Sequence, residues 1–206
     1  MKLDECGKRG YAVLQHKGTV NLETDRLLLR PFRVEDAEDM FSNWASDPEI
    51  TRYLTWLPHR SVAETENLLS AWCTLYDDPR IYLWVLELKS TGQAVGSISV
   101  VDRSEQHEHC SLGYALSRAL WGQGLMTEAV RAVLGFLFRE VGCHRVQAWC
   151  RVENPASARV MEKAGMTKEA CLREIYKTRD GDFTDLYLYS ILHHEWETME
   201  KGESRL

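Results

Sequence analysis

The 206-residue chain carries 25 Lys and Arg against 31 Asp and Glu, a formal charge of -6, which excludes a general binder of the nucleic-acid backbone, where a basic surplus is expected. Its length suits one domain burying roughly 70% of its unfolded surface. The six cysteines form no CxxC pair and no ligand spacing with His, so no metal site and no disulfide framework is expected, and the thiols read as reduced. No leader opens the chain and no apolar run approaches the ~20 residues of a membrane span, so a soluble cytoplasmic protein is expected.

Residues 1–18 are polar and aperiodic and read as an N-terminal arm. "TVNLETDRLLLRPF" (19–32) reads as a strand ended by Pro31. "VEDAEDMFSNWAS" carries acids in its first turn and predicts a helix stopping before Asp47-Pro48. A second helix starts at Ser61, with Glu64 in capping-box position and Leu68, Leu69, Trp72 and Leu75 on one stripe. A hairpin follows, 81–88 and 94–101 flanking "KSTGQ". In "CSLGYAL" (110–116), bulky Cys110, Leu112, Tyr114 and Leu116 alternate with small Ser111, Gly113 and Ala115, as in a strand with one nearly bare face.

The next helix shows apolar residues at Val130, Val133, Leu134, Leu137, Phe138 and Val141 and is ended by Gly142. Residues 144–152 predict a strand, 154–164 a helix ended by Gly165, and 166–178 with 183–193 a closing strand pair around "RDGD". The tail 198–206 is expected to fray. With no internal repeat or linker, this order predicts a single mixed α/β layer domain over 19–197.

Two glycines, Gly122 and Gly124, stand before the 125–141 helix. A helix start presents unpaired amides and a partial positive charge, which suits a phosphate group, and glycine allows close approach to the backbone. The same pattern is also that of a tight strand-to-helix turn with no ligand. A triphosphate loop would need GxxxxGK[ST], and a dinucleotide fingerprint a third glycine at Thr127 in a parallel unit at the chain's start. Asn154 before Pro155 is the pattern of an N-cap with Pro at the first helical position. Cys150 alternates with Val146, Ala148 and Val152 and reads as a core thiol.

"LWGQGLMTEA" followed about 30 residues later by "VENPASARVMEKAGM" resembles the GNAT acyltransferase superfamily. "LETDRLLLRPF", "DPEITRYL" and "SLGYALSRALWGQGLMTEAV" resemble its RimJ/RimL branch, and the resemblance runs from about Val20 to about Trp196. It implies a single-domain GNAT-like fold, with a twisted, mostly antiparallel sheet splayed between the fourth and fifth strands and flanked by about four helices. It further implies an acetyl-CoA-dependent N-acetyltransferase acting by direct transfer in a ternary complex, with a protein N-terminal α-amine as the acceptor. Alternatives are a small amine acceptor, such as a polyamine or antibiotic, or an inactive acyl-CoA-binding regulatory module. The assembly is expected to be a monomer or homodimer, without nucleic acid, membrane or metal.

The family's pyrophosphate signature, [RQ]xxGx[GA], falls on Trp121, Gly122, Gln123, Gly124, Leu125 and Met126. Gly124 fits it, whereas Trp121 and Met126 depart from it. The resemblance assigns acetyl-CoA to main-chain amides from Gly122 through Thr127, with the pantetheine along the strand ending at Leu116 and touching Asn154 and Ser157. The small face of that strand offers the arm room; small residues under a packed helix explain that face equally well.

Many relatives carry a catalytic Glu where this chain has Ser111, and a Tyr general acid where it has Met161. Glu108, with His107 and His109 beside it, is then the candidate base acting through water, and Ser157 the candidate donor to the departing sulfur. Cys150 matches a cysteine seen near the thioester in RimL-like enzymes, and no acetyl-cysteine is expected. The acceptor is assigned to Tyr53 and Trp56, with Trp44, His59 and Trp72 nearby, to the "TRDGDF" turn and to Asp185.

Overall fold

The computed structural model describes residues 14–203. Most of the expected N-terminal arm and the last three residues lie outside the described residues. Residues 14–18 are docked, not loose: Leu14 is buried, and Gln15 and Gly18 donate main-chain hydrogen bonds to Val141 and Pro79.

Alternating apolar residues build eight strands of one sheet: β1 (Leu22–Glu23), β2 (Leu27–Pro31), β3 (Leu83–Leu88), β4 (Gln93–Ser104), β5 (His109–Leu116), β6 (Arg145–Arg151), β7 (Thr167–Lys177) and β8 (Phe183–Leu192). They lie in the order β1-β2-β3-β4-β5-β6-β8-β7. Every neighbouring pair is antiparallel except β5 and β6. Six α-helices flank the sheet: α1 (Ala37–Met40, running on through a wider turn to Ala45), α2 (Pro48–Thr51), α3 (Val62–Cys73), α4 (Leu125–Phe136, running on to Val141), α5 (Pro155–Lys163) and α6 (His193–Glu203).

The period of two in each strand divides the core between the two faces. On one face Leu27, Leu29, Trp84, Ile98, Leu112, Val146 and Ala148 pack against Val130, Val133 and Leu137 of α4, Met161 of α5 and Trp196 of α6. On the other, Val85, Ala94 and Ala115 lie with Met40, Trp44 and Leu69 of α1, its extension and α3. The small face of β5 therefore serves packing: Ala115 sits beneath the first helices, a Cβ on Gly113 would meet the Val101 side chain at 2.8 Å, and the buried Ser111 hydroxyl accepts from Gln147 Nε2 at 3.0 Å.

Room comes instead from the parallel pair. Register runs from His109↔Arg145 to Leu112↔Ala148 and stops, although β5 continues to Leu116 and β6 to Arg151. The last residues of both strands diverge into a V, the expected splay between the fourth and fifth predicted strands. At the closed end, the buried thiols of Cys110 and Cys143 lie 3.4 Å apart.

Four elements differ from the sequence expectation. The first strand is a hairpin, because Thr24 turns the chain by exchanging hydrogen bonds with Leu27. β4 runs on to Ser104 past an irregularity at Val100/Asp102 that lets charged residues continue the ladder. A short α2 follows Asp47, whose carboxylate caps Glu49 N at 2.8 Å. The tail expected to fray is helical to Glu203, held by Trp196 stacking on Phe138 at 5.4 Å.

Below α1, Arg30 of β2 is buried and bidentate to Asp36, at 2.8 and 2.7 Å, with Nε on Glu87 of β3 at 2.6 Å. The Asp36 hydrogen bonds hold the guanidinium above its ordinary range, against the effect of burial. Breaking a buried pair outright costs about 3–5 kcal/mol, and because Glu87 still answers part of the Arg30 charge the loss here falls toward the lower end of that scale. Asp36→Ala should lose stability on that scale in urea unfolding, and a loss below about 1 kcal/mol would show that the pair does not anchor the helices.

Candidate active site

The loop leaving β5 enters α4 through Gly122 at φ 75° and Gly124 at φ 80°, the left-handed region where side chains are strained. Gly124 is the N-cap and contributes no side-chain cap, so the amides of Leu125, Met126 and Thr127 at the helix tip are left to a ligand or water. Among the described residues, and apart from its chain neighbours, a Cβ on Gly122 would meet no atom within 4 Å, and one on Gly124 only Arg26 Nη2 at 3.6 Å. Open space around an uncapped helix tip is the fit expected for a phosphate group. Arg26 braces the loop, donating to the Gln123 carbonyl at 3.0 Å and pairing with Glu128 at 2.6 Å. Trp121, half-exposed, donates its indole N–H to the Leu116 carbonyl at 2.9 Å, which ties the loop to the open end of β5.

On the α4 face of the V, Tyr114 of β5 reaches α5: its hydroxyl lies 2.9 Å from Ser157 Oγ and donates to the Ser157 carbonyl at 3.2 Å. Burial pushes this phenol above its ordinary range, partly offset by the Ser157 hydrogen bond, so Tyr114 stays protonated and can only share or donate its proton. Ser157 is placed by Asn154, whose Oδ1 accepts from Ser157 N at 3.2 Å as the N-cap of α5, with Pro155 next. Cys150 faces the same cluster. Burial first of all drives its thiol up to about 11, with smaller downward effects from Lys168 and Ser157, so at neutral pH it is no nucleophile.

Neighbouring residues of β6 point the other way, because the strand is pleated. Arg151, next to Cys150, opens onto a cavity of about 210 Å³. Arg52 and Leu54 line it from the loop after α2, and Tyr176, Thr178, Arg179 and Asp180 from the β7–β8 hairpin. Arg179 joins the two, donating to the carbonyls of Thr51 and Leu54, each at 3.1 Å, and of Trp56. Tyr53 lies alongside, with its hydroxyl donating to the Glu153 carbonyl at 2.9 Å and Arg52 and Arg151 over its ring at 4.7 and 5.5 Å.

The structure thus brings Gly122 to Thr127, Leu116, Asn154 and Ser157 to one side of the V and Tyr53, Trp56 and the hairpin turn to the other. Glu108 is a correction. It sits at the closed end, six residues and roughly 20 Å of strand from Tyr114, with its carbonyl taken by His144 and Arg145. Asp185 accepts from Glu174 N at 2.9 Å and from the Cys171 thiol at 3.6 Å, so it braces the irregular stretch of β7. Trp44 is fully buried and Trp72 packs on Phe32 at 5.4 Å, so both are core. Tyr114 and Arg151 were missed, and Arg52 and Arg179 were taken in only as members of the "DPEITRYL" and "TRDGDF" segments. The bulky face of β5 announced Tyr114 only as core, and the three arginines come from separate segments that nothing in the sequence links to one another.

A splayed sheet with an uncapped, glycine-opened helix tip beside the V is the arrangement that the resemblance to the GNAT superfamily implies. Residues 26–167 match the acetyltransferase (GNAT) domain, and the chain belongs to that family of N-acetyltransferases, enzymes that use acetyl-CoA. It is 31% identical over 171 residues to an uncharacterized N-acetyltransferase, YoaA, of Bacillus subtilis, covering 83% of this chain and 96% of that protein. It is 27% identical over 192 residues to the ribosomal protein uS5-alanine N-acetyltransferase of Escherichia coli, covering 86% and 93%. Among solved structures, a GNAT-family acetyltransferase from Bacillus anthracis superposes with a TM-score of 0.74 at 26% identity, over 85% of this chain and 99% of that one.

With burial driving its thiol up to about 11, Cys150 should alkylate about a hundredfold more slowly at pH 8 than an unperturbed thiol. Peptide mass mapping after timed iodoacetamide treatment reads this directly; labelling at the free-thiol rate would return Cys150 to the list of nucleophiles.

Proposed function

We propose that this chain acetylates the α-amine of a protein or peptide N-terminus, binding acetyl-CoA and acceptor together on opposite sides of the V. The observation that carries the reading is that divergence: β5 and β6 part with the helix tip and the Tyr114–Ser157 pair on one face and the cavity on the other. The acceptor class draws support from the similarity to the ribosomal protein uS5-alanine N-acetyltransferase.

Acetyl-CoA supplies an already activated acetyl group, so the residues have to hold, align and manage protons. The amides of Leu125, Met126 and Thr127 hold the pyrophosphate, with Gly122 and Gly124 keeping its approach clear and Gln123 fixed by Arg26. Unpaired main-chain groups of β5 beyond Leu112 receive the pantetheine, with Asn154 and Leu116 flanking it and Trp121 against the loop end. Ser157 donates a hydrogen bond to the sulfur as it departs as a thiolate, which takes up the proton the acylated amine sheds, directly or through solvent, while Tyr114 keeps its own proton and holds the Ser157 hydroxyl in place. Ser111 is buried and occupied by Gln147, so solvent reaching the cavity removes the amine's proton before attack.

Three measurements test this. Calorimetry should show that Gly124→Val, with its circular dichroism unchanged, loses at least about tenfold in CoA affinity, because a β-branched residue at positive φ pulls the amides out of line; unchanged affinity would make the pyrophosphate assignment wrong. Ser157→Ala should slow turnover by about ten- to a hundredfold at nearly constant CoA affinity, with Tyr114→Phe slowed less; equal turnover removes Ser157 from the mechanism. Without an enzymic base, kcat/KM on peptide N-termini should climb with pH to a plateau near the amine's own pKa of about 8; a plateau set well below that would reveal a base. CoA release with small amines but no peptide would move the acceptor to the small-amine class.

A further inference from the structure

The cavity on the acceptor side is lined by three arginines, Arg52, Arg151 and Arg179, against one acid, Asp180. Their existing partners leave this charge only partly answered. Arg52 pairs with Glu49 at 3.1 Å on the exposed outer surface. Arg151 donates from Nη1 to the Arg52 carbonyl at 3.0 Å. Its Nε is buried 3.4 Å from Glu153 Oε2, which answers part of its charge. Arg179 donates to three main-chain carbonyls, and among the described residues no carboxylate stands within ion-pair distance of it.

Three arginines lining one cavity, of which Arg179 faces no carboxylate among the described residues, match the planar or tetrahedral oxygens of a carboxylate or phosphate. The volume, about 210 Å³, is below the roughly 300–1,000 Å³ of pockets that enclose whole ligands, so it suits one anionic group and a few neighbouring atoms. Arg151 adjoins Cys150, which faces the cofactor side. An anion seated on Arg151 therefore lies within a few residues' reach of the amine that attacks through the V.

We infer that this cavity reads an acidic group on the acceptor, a carboxylate or phosphate close to the reacting amine, so that the enzyme prefers acidic acceptors to neutral ones. The inference rests on the acetyl-acceptor reading above. It runs against what the net negative charge of the chain alone would suggest, because the basic groups are concentrated at this one place.

The test is binding to the CoA-loaded chain, by calorimetry, of two matched pairs: the peptide amides Ala-Asp-Glu-Phe and Ala-Asn-Gln-Phe, and phosphoethanolamine and ethanolamine. The acidic member of at least one pair should bind about tenfold tighter or more, with a gap that narrows in high salt. Preference in the peptide pair assigns the carboxylate of an acidic N-terminus, and preference in the ethanolamine pair alone assigns a small phosphorylated amine. Arg151→Gln and Arg179→Gln should each close most of the gap, and Arg151→Lys should restore part of it. Equal binding within both pairs, or a gap that survives both Gln variants, overturns the inference. The readout needs no turnover, so a chain that discriminates in binding yet acetylates nothing would count against the acceptor reading and not against this one.

Discussion

Everything functional in this molecule follows from where one parallel pairing stops. β5 and β6 share hydrogen bonds as far as Leu112 and Ala148 and then separate, in a sheet whose other pairs are antiparallel. Parallel neighbours must be joined by a crossover, here α4, so the helix tip necessarily lies near the end where β5 exits. The same crossover that makes the strands parallel therefore delivers uncapped amides to the mouth of the V. Cleft and uncapped tip are two results of one chain path.

The electrostatics divide along the same line. On the α4 side the polar groups at the V are uncharged and internally paired: Tyr114 with Ser157, and Asn154 with the start of α5. On the α2 side, charge is concentrated and incompletely paired around Arg151. A neutral, preorganised side suits a thioester, whose reaction develops charge only transiently, whereas a charged side suits the recognition of something already ionic.

Much of this was legible in the sequence, for identifiable reasons. Glycines at positive φ and the Asn-Pro cap are local signals, set within a few residues, and Gly122, Gly124, Gly142, Gly165 and Asn154 behave as their neighbours dictate. Strand alternation located β5 and β6 and their two faces. The cluster was less legible, because Tyr114 and Ser157 are 43 residues apart and Arg52, Arg151 and Arg179 meet only through tertiary structure. Glu108 misled because nearness in sequence along a strand is distance in space: six residues of extended chain carry it to the wrong end. The small face of β5 misled in the opposite way, since the space it offered was already filled by Val101 and the first helices.

The pleat of β6 has a further consequence. Cys150 and Arg151 are consecutive, yet one faces the Tyr114–Ser157 cluster and the other the arginine-lined cavity. Odd-numbered positions of this strand can therefore change without disturbing what the even-numbered ones touch. A substitution at Arg151 would alter what faces the cavity and leave the buried neighbours of Cys150 as they are, but a single inserted or deleted residue in β6 would invert both sides at once.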